Sequence, residues 1–175
     1  MKKYVTIAFY KADRKDATLI DKLIAWYTKG KYSHVEILLN IDNVLMQCSS
    51  SPRDGHVRCK PHKYNEDHWD YLKVPVENLD RIIEFYESIK GQPYDWFGIL
   101  GFILPTQDRS DRWFCSETVA NALKIDGFKP MWYLEPSSIS PNRLYKLIID
   151  YYGESVKERI ITNKGSNNDT TDVPY

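Results

Sequence analysis

Absent from this chain is any apolar run approaching the roughly 18 consecutive residues a membrane span requires; the nearest, over 96–105, is far too short. A secretory leader is not expected either. The opening apolar stretch is interrupted by Thr6 and Tyr10 and followed by Lys11, Asp13 and Arg14, which reads as a first strand. The expectation is a cytoplasmic protein without a membrane span. There is no surplus of charge: Lys plus Arg and Asp plus Glu number 24 each, so composition does not call for nucleic acid or an anionic membrane as partner. Lys2, Lys3, Lys11, Arg14 and Lys15 make a basic neighbourhood, but Asp13 and Asp16 break it up, and it reads as a solvated face. Cysteine is scarce. Three residues, an odd number without an export signal, argue against a disulfide framework and leave thiols free for chemistry.

What remains is ordinary in size and rich in rings. A chain of 175 residues can bury a core as one domain, here 1–155, followed by a C-terminal segment 156–175 whose polar run from Lys164 is too hydrophilic to pack. Thirteen tyrosines suit a well-filled core with wet edges that can meet polar ligands. Strands are expected over 4–11, 32–40, 44–50, 57–60 and 69–75, the middle three as an antiparallel meander turned by Ser51-Pro52-Arg53-Asp54-Gly55. Thr18 caps a helix with Leu19, Ile20, Leu23, Ile24 and Tyr27 on one face, closed by Gly30. Further helices are expected over 78–89, about 115–125 and 141–152, with a short helix or packed loop over 93–104.

Two places carry chemistry. Cys115 stands where a polar loop enters a helix, and there the unpaired N–H groups and the helix dipole stabilise a thiolate and can receive an oxyanion. In Tyr32-Ser33-His34-Val35-Glu36, the period of two puts His34 and Glu36 on one face of a strand and Val35 on the other. A histidine of this kind can activate a thiol, and a carboxylate can fix its tautomer. Gln47, on the neighbouring strand, ranks second to Glu36 for that orienting role.

Three motifs in order resemble the permuted branch of the NlpC-type cysteine peptidases, papain-like proteins related to lecithin retinol acyltransferase. They are Tyr32-Ser33-His34-Val35-Glu36, Gly91-Gln92-Pro93-Tyr94-Asp95-Trp96-Phe97-Gly98, and Trp113-Phe114-Cys115-Ser116-Glu117-Thr118-Val119. The resemblance spans about residues 4–150, with the histidine strand ahead of the cysteine helix, as in that branch. It implies an α+β papain-like fold, an antiparallel sheet packed against helices. It also implies a cysteine hydrolase that cleaves amide bonds in a peptide or cell-wall fragment through an acyl-enzyme, with Cys115 as nucleophile and His34 as base; Glu36 as orienting group rests on the strand alternation alone. No cofactor is implied. Many members have a small residue two after the histidine, where this chain has Glu36. The alternatives are acyl transfer or thioester cleavage on a lipid or acyl substrate, and a catalytically silent binding module of the same fold. A wall-cutting enzyme without a leader would need release by lysis, as in a phage system; otherwise its substrate is intracellular.

Other signals are weaker. Cys48, His56, Cys59 and His62 gather around one hairpin, but their spacing is not that of a zinc finger, and no metal is expected. Cys48 and Cys59 are symmetric about Arg53-Asp54 and are expected as two small apolar side chains, with a redox bridge as the outside alternative. The apolar run from Trp96 to Leu104 reads as core sooner than as an acyl pocket.

Overall fold

β-Branched and aromatic residues between polar turns give the chain a strand-rich first half and a helical second half. The computed structural model describes residues 2–15, 17–96 and 111–158. In chain order these form β1 (Lys3–Lys11), α1 (Leu19–Tyr27), β2 (Tyr32–Ile41), β3 (Val44–Ser51), β4 (His56–Pro61), β5 (Trp69–Val76), α2 (Leu79–Ile89), α3 (Cys115–Asp126), α4 (Pro141–Tyr152) and the two-residue β6 (Lys157–Glu158). The expected short helix or loop over 93–104 passes beyond the described residues after Trp96, and the polar tail lies outside them altogether.

The fold is α+β. One antiparallel sheet runs in the order β4-β3-β2-β1-β5-β6, so the first strand lies inside it, between β2 and β5. Alternation then sorts the side chains. Val5, Ile7 and Phe9 of β1, Val35, Ile37 and Leu39 of β2, and Leu72 and Val74 of β5 face the main core, where α2, α3 and α4 supply Ile82, Tyr86, Val119, Leu123, Leu144 and Ile148. The other face holds a smaller apolar group, Ala8, Leu38 and Tyr71. Gly127 ends α3 in the left-handed region at φ 96°, where its N–H and that of Phe128 satisfy the last carbonyls of the helix.

α1 departs from the sequence expectation. The spacing puts Leu19 and Leu23 on one apolar face with Ile24, yet they are 85% and 49% exposed. A polar tether sets the rotation of the helix. Asp21 accepts from the N–H and hydroxyl of its cap Thr18, at 3.1 and 2.7 Å, and from Ser33 Oγ of β2 at 2.7 Å, so the carboxylate side turns inward. After this helix Gly30 lies against Asn142, whose side chain accepts from Tyr32 N–H at 2.9 Å and donates to Tyr32 C=O at 2.8 Å. A Cβ on Gly30 would stand 2.2 Å from that amide, so close approach, not turn geometry, requires glycine there.

Candidate active site

The site begins with an irregularity in β2. His34 pairs with Tyr10 and Tyr32 with Lys11, which leaves Ser33 as an extra residue in the ladder. This bulge lets Tyr32 join the core while His34 turns to the face of Glu36. His34 Nε2 lies 2.9 Å from Glu36 Oε1, and the same oxygen accepts from Arg58 Nη2 of β4 at 2.7 Å. Arg58 Nε donates to Asp54 at 2.7 Å, so one guanidinium bridges two carboxylates. Glu36 is only 2% exposed. A carboxylate so buried needs such partners to stay ionised.

Cys115 reaches this group through a second set of contacts. The segment before α3 is laced to β4: Gly91 N–H donates to Val57 C=O, Val57 N–H to Gln92 C=O and Tyr94 N–H to Gly55 C=O, at 2.8–2.9 Å. Trp113 is bound to that segment by its N–H to Pro93 C=O, by its own C=O accepting from Asp95 N–H, and by its indole N–H donating to the Gln92 side chain. Ser50 Oγ of β3 also donates to Trp113 C=O at 2.7 Å. Two residues on, Cys115 opens α3, its Thr118 hydroxyl donating to Cys115 C=O at 2.8 Å and Glu117 accepting from Phe114 N–H. Ser49 Oγ donates to Val35 C=O at 2.9 Å and stands 3.5 Å from Cys115 C=O, which joins the helix start to β2.

The electrostatics follow from this packing. Burial pushes the His34 imidazole down, but the hydrogen-bonded Cys115 sulfur and the Glu36 carboxylate outweigh it and raise its pKa to about 9. With Nε2 committed to Glu36, Nδ1 is the nitrogen left for the thiol. Glu36 is opposed by burial yet held down at about 2 by His34 and Arg58. Cys115 also lies at the positive end of a 12-residue helix, where first-turn N–H groups lack intrahelical acceptors. Such N–H groups can steady a negative oxygen placed beside them.

His34, Glu36 and Arg58 line a pocket of about 230 Å³, walled by the rings of Tyr10, Trp69, Tyr94 and Trp96 and by Asp21 and Arg53. Arg53 lies over the Tyr10 ring, 5.6 Å from its centroid, and 3.9 Å from Asp21. Burial, with the nearby Cys115 and Asp95, lifts the Tyr94 phenol well above its ordinary value, so it stays a neutral O–H.

No family model matches the chain, and no curated protein does. Among solved structures the fold is similar to that of metalloprotein yiiX from Escherichia coli O157:H7, at 19% identity and a TM-score of 0.52, covering 89% of this chain and 84% of that one. At that identity the likeness concerns the fold alone.

The structure brings together all three of the residues singled out from sequence, Cys115, His34 and Glu36. Gln47 lines the same pocket but its side-chain oxygen meets His62 Nδ1, 2.5 Å away, instead of His34. Cys48 and Cys59 correct the sequence expectation: they are a disulfide, not two free thiols, because the hairpin register sets them opposite each other with Cα atoms 4.1 Å apart. Cys115 is the one free cysteine. Sequence reasoning missed Arg58, Asp54 and His62. The register that pairs Cys48 with Cys59 also pairs Ser49 with Arg58 and so carries Arg58, two strands from Glu36, onto the same face, a placement that local spacing does not give.

Proposed function

We propose that this protein is a cysteine-dependent hydrolase of the permuted papain-like type, acting on an amide bond in a peptide or cell-wall fragment. The observation that carries the reading is the relay Cys115–His34–Glu36–Arg58, set at a helix start and bordered by a ring-walled pocket. The strand-before-helix order of His34 and Cys115 supports the papain-like assignment. In the first half-reaction Cys115 Sγ attacks the carbonyl carbon, the oxyanion is received at the α3 N-terminus, and the His34 proton passes to the departing amine. In the second, His34 takes a proton from water, the hydroxide attacks the thioester, and the acid leaves as Cys115 regains its thiol. Glu36 keeps the imidazole in place, and Arg58 keeps Glu36 ionised.

The printed description of yiiX as a metalloprotein concerns that protein. Among the described residues here, no three His, Cys, Asp or Glu side chains converge on a point that could hold a metal ion, and the reading is built on the thiol.

The test is iodoacetamide alkylation of Cys115 in the folded protein against pH, followed by peptide mass spectrometry, for wild type and His34→Ala. Expected is labelling below pH 7 far faster than that of free glutathione, with the advantage lost in His34→Ala. A Cys115 that reacts like glutathione in both, or not at all, would remove the hydrolase reading and leave a binding module of the same fold. If the pair is active, Cys115→Ala should abolish turnover of whichever amide the enzyme accepts, and product analysis with added alcohols or amines separates hydrolysis from acyl transfer.

A further inference from the structure

The outer face of α1 has no partner among the described residues. Leu19, Leu23 and Trp26 recur at the spacing of one helix face and are 85%, 49% and 76% exposed. At 100° per residue they form a stripe only about 60° wide, pointing away from the inner side of the helix, where Thr18, Asp21 and Ile24 wall the pocket beside His34. Trp96, another wall residue of that pocket, is 46% exposed. An exposed apolar stripe of this kind marks an interaction surface.

Charge narrows the occupant. In a chain that is neutral as a whole, residues 11–31 hold six basic against three acidic residues. One of the three, Asp21, is turned inward to Thr18 and Ser33, while Lys22 flanks the stripe on the helix and Lys15 and Lys29 are exposed on either side of it in sequence. Leucine and tryptophan flanked by lysine is the composition of a helix lying in the headgroup layer of an anionic membrane. A second copy of the chain fits poorly. A two-fold contact would oppose like charges, and three side chains on a nine-residue helix fall well short of the roughly 800 Å² per partner of a stable interface.

We propose that α1 docks the protein peripherally on an anionic lipid surface, with Leu19, Leu23 and Trp26 entering the headgroup layer and the pocket mouth held close to it. The inference stands whether or not Cys115 is a nucleophile.

Flotation of the full chain with vesicles of phosphatidylcholine alone, or with about a third phosphatidylglycerol, tests it. Expected is recovery with the anionic vesicles and little with the neutral ones, weakening as salt is raised. Leu19→Asp with Trp26→Asp should lower anionic-vesicle binding by at least about tenfold, with the circular-dichroism spectrum unchanged because both side chains are exposed. Should that double variant fold poorly, quenching by brominated lipid decides: part of the tryptophan emission is quenched in wild type and not in Trp26→Phe. Absence of flotation with either vesicle, binding unaffected by the double variant, or a dimer in sedimentation velocity that Leu19→Asp dissociates would each overturn the proposal.

Discussion

Glu36 Oε1 accepts from two donors at once, and its neighbours are therefore unequal in what they contribute. Removing Arg58 leaves a buried carboxylate with His34 as its remaining cation. Arg58→Ala should cost on the order of 3 kcal/mol in urea unfolding, whereas Glu36→Gln with Arg58→Met should recover part of that loss, since neither buried charge then remains. Additive losses in that pair would argue against a coupled relay. On the rate, Glu36→Gln should lower turnover more than Gln47→Ala, because Glu36 touches His34 and Gln47 touches His62. The grouping of His34, Glu36 and Cys115 was legible because local signals suffice for it: alternation set His34 and Glu36 on one face, and a polar loop running into an apolar helix marked Cys115. Arg58 was not, because its role depends on the register of a hairpin two strands away.

At the scale of elements, punctuation was readable and partnership was not. Thr18, the Pro52–Gly55 turn, Gly91 and Gly127 fall where helices and strands begin or stop. The rotation of α1 could not be read, because hydrophobic spacing alone turns Leu19 and Leu23 inward and only the Asp21–Ser33 hydrogen bond reverses it. The fate of Cys48 and Cys59 likewise depends on pairing. Mass spectrometry without reductant should therefore find one alkylatable cysteine per chain, and reduction should expose two more. Closing the loop between them is worth about 3 kcal/mol at most in chain entropy, so Cys48→Ala with Cys59→Ala should lower the melting temperature without unfolding the protein. Gly30→Ala should destabilise by about 1–3 kcal/mol through overpacking, since Asn142 is fixed by Thr28 and both backbone groups of Tyr32. A melting temperature equal to wild type would mean that Asn142 gives way freely.

For the molecule as a whole, the site ties stability to pH. His34 keeps its proton to about pH 9 in the fold against an ordinary 6.5, so its stabilising share is complete below 6.5 and is lost as pH rises through 9. Glu36, held at about 2 against 4.5, contributes fully above 4.5 and loses its share as pH falls through 2. The pair stabilises most between those limits, from 4.5 to 6.5. Since Cys115 is the leading influence raising His34, the alkaline decline of the melting temperature above pH 6.5 should be smaller and end at lower pH in Cys115→Ala; superimposable curves above pH 6.5 would deny the thiol–imidazole contact. The place of β1 inside the sheet has a consequence in time. During synthesis β1 to β4 emerge first and can pair in the order β4-β3-β2-β1, but β1 then ends that sheet as a bare edge until β5 appears, some sixty residues after β1 is made. His34, Glu36 and Arg58 all belong to this early sheet, so the ribosome delivers these three residues before Cys115, and a chain stalled ahead of Trp69 would carry them in a sheet whose β1 edge is open to aggregation.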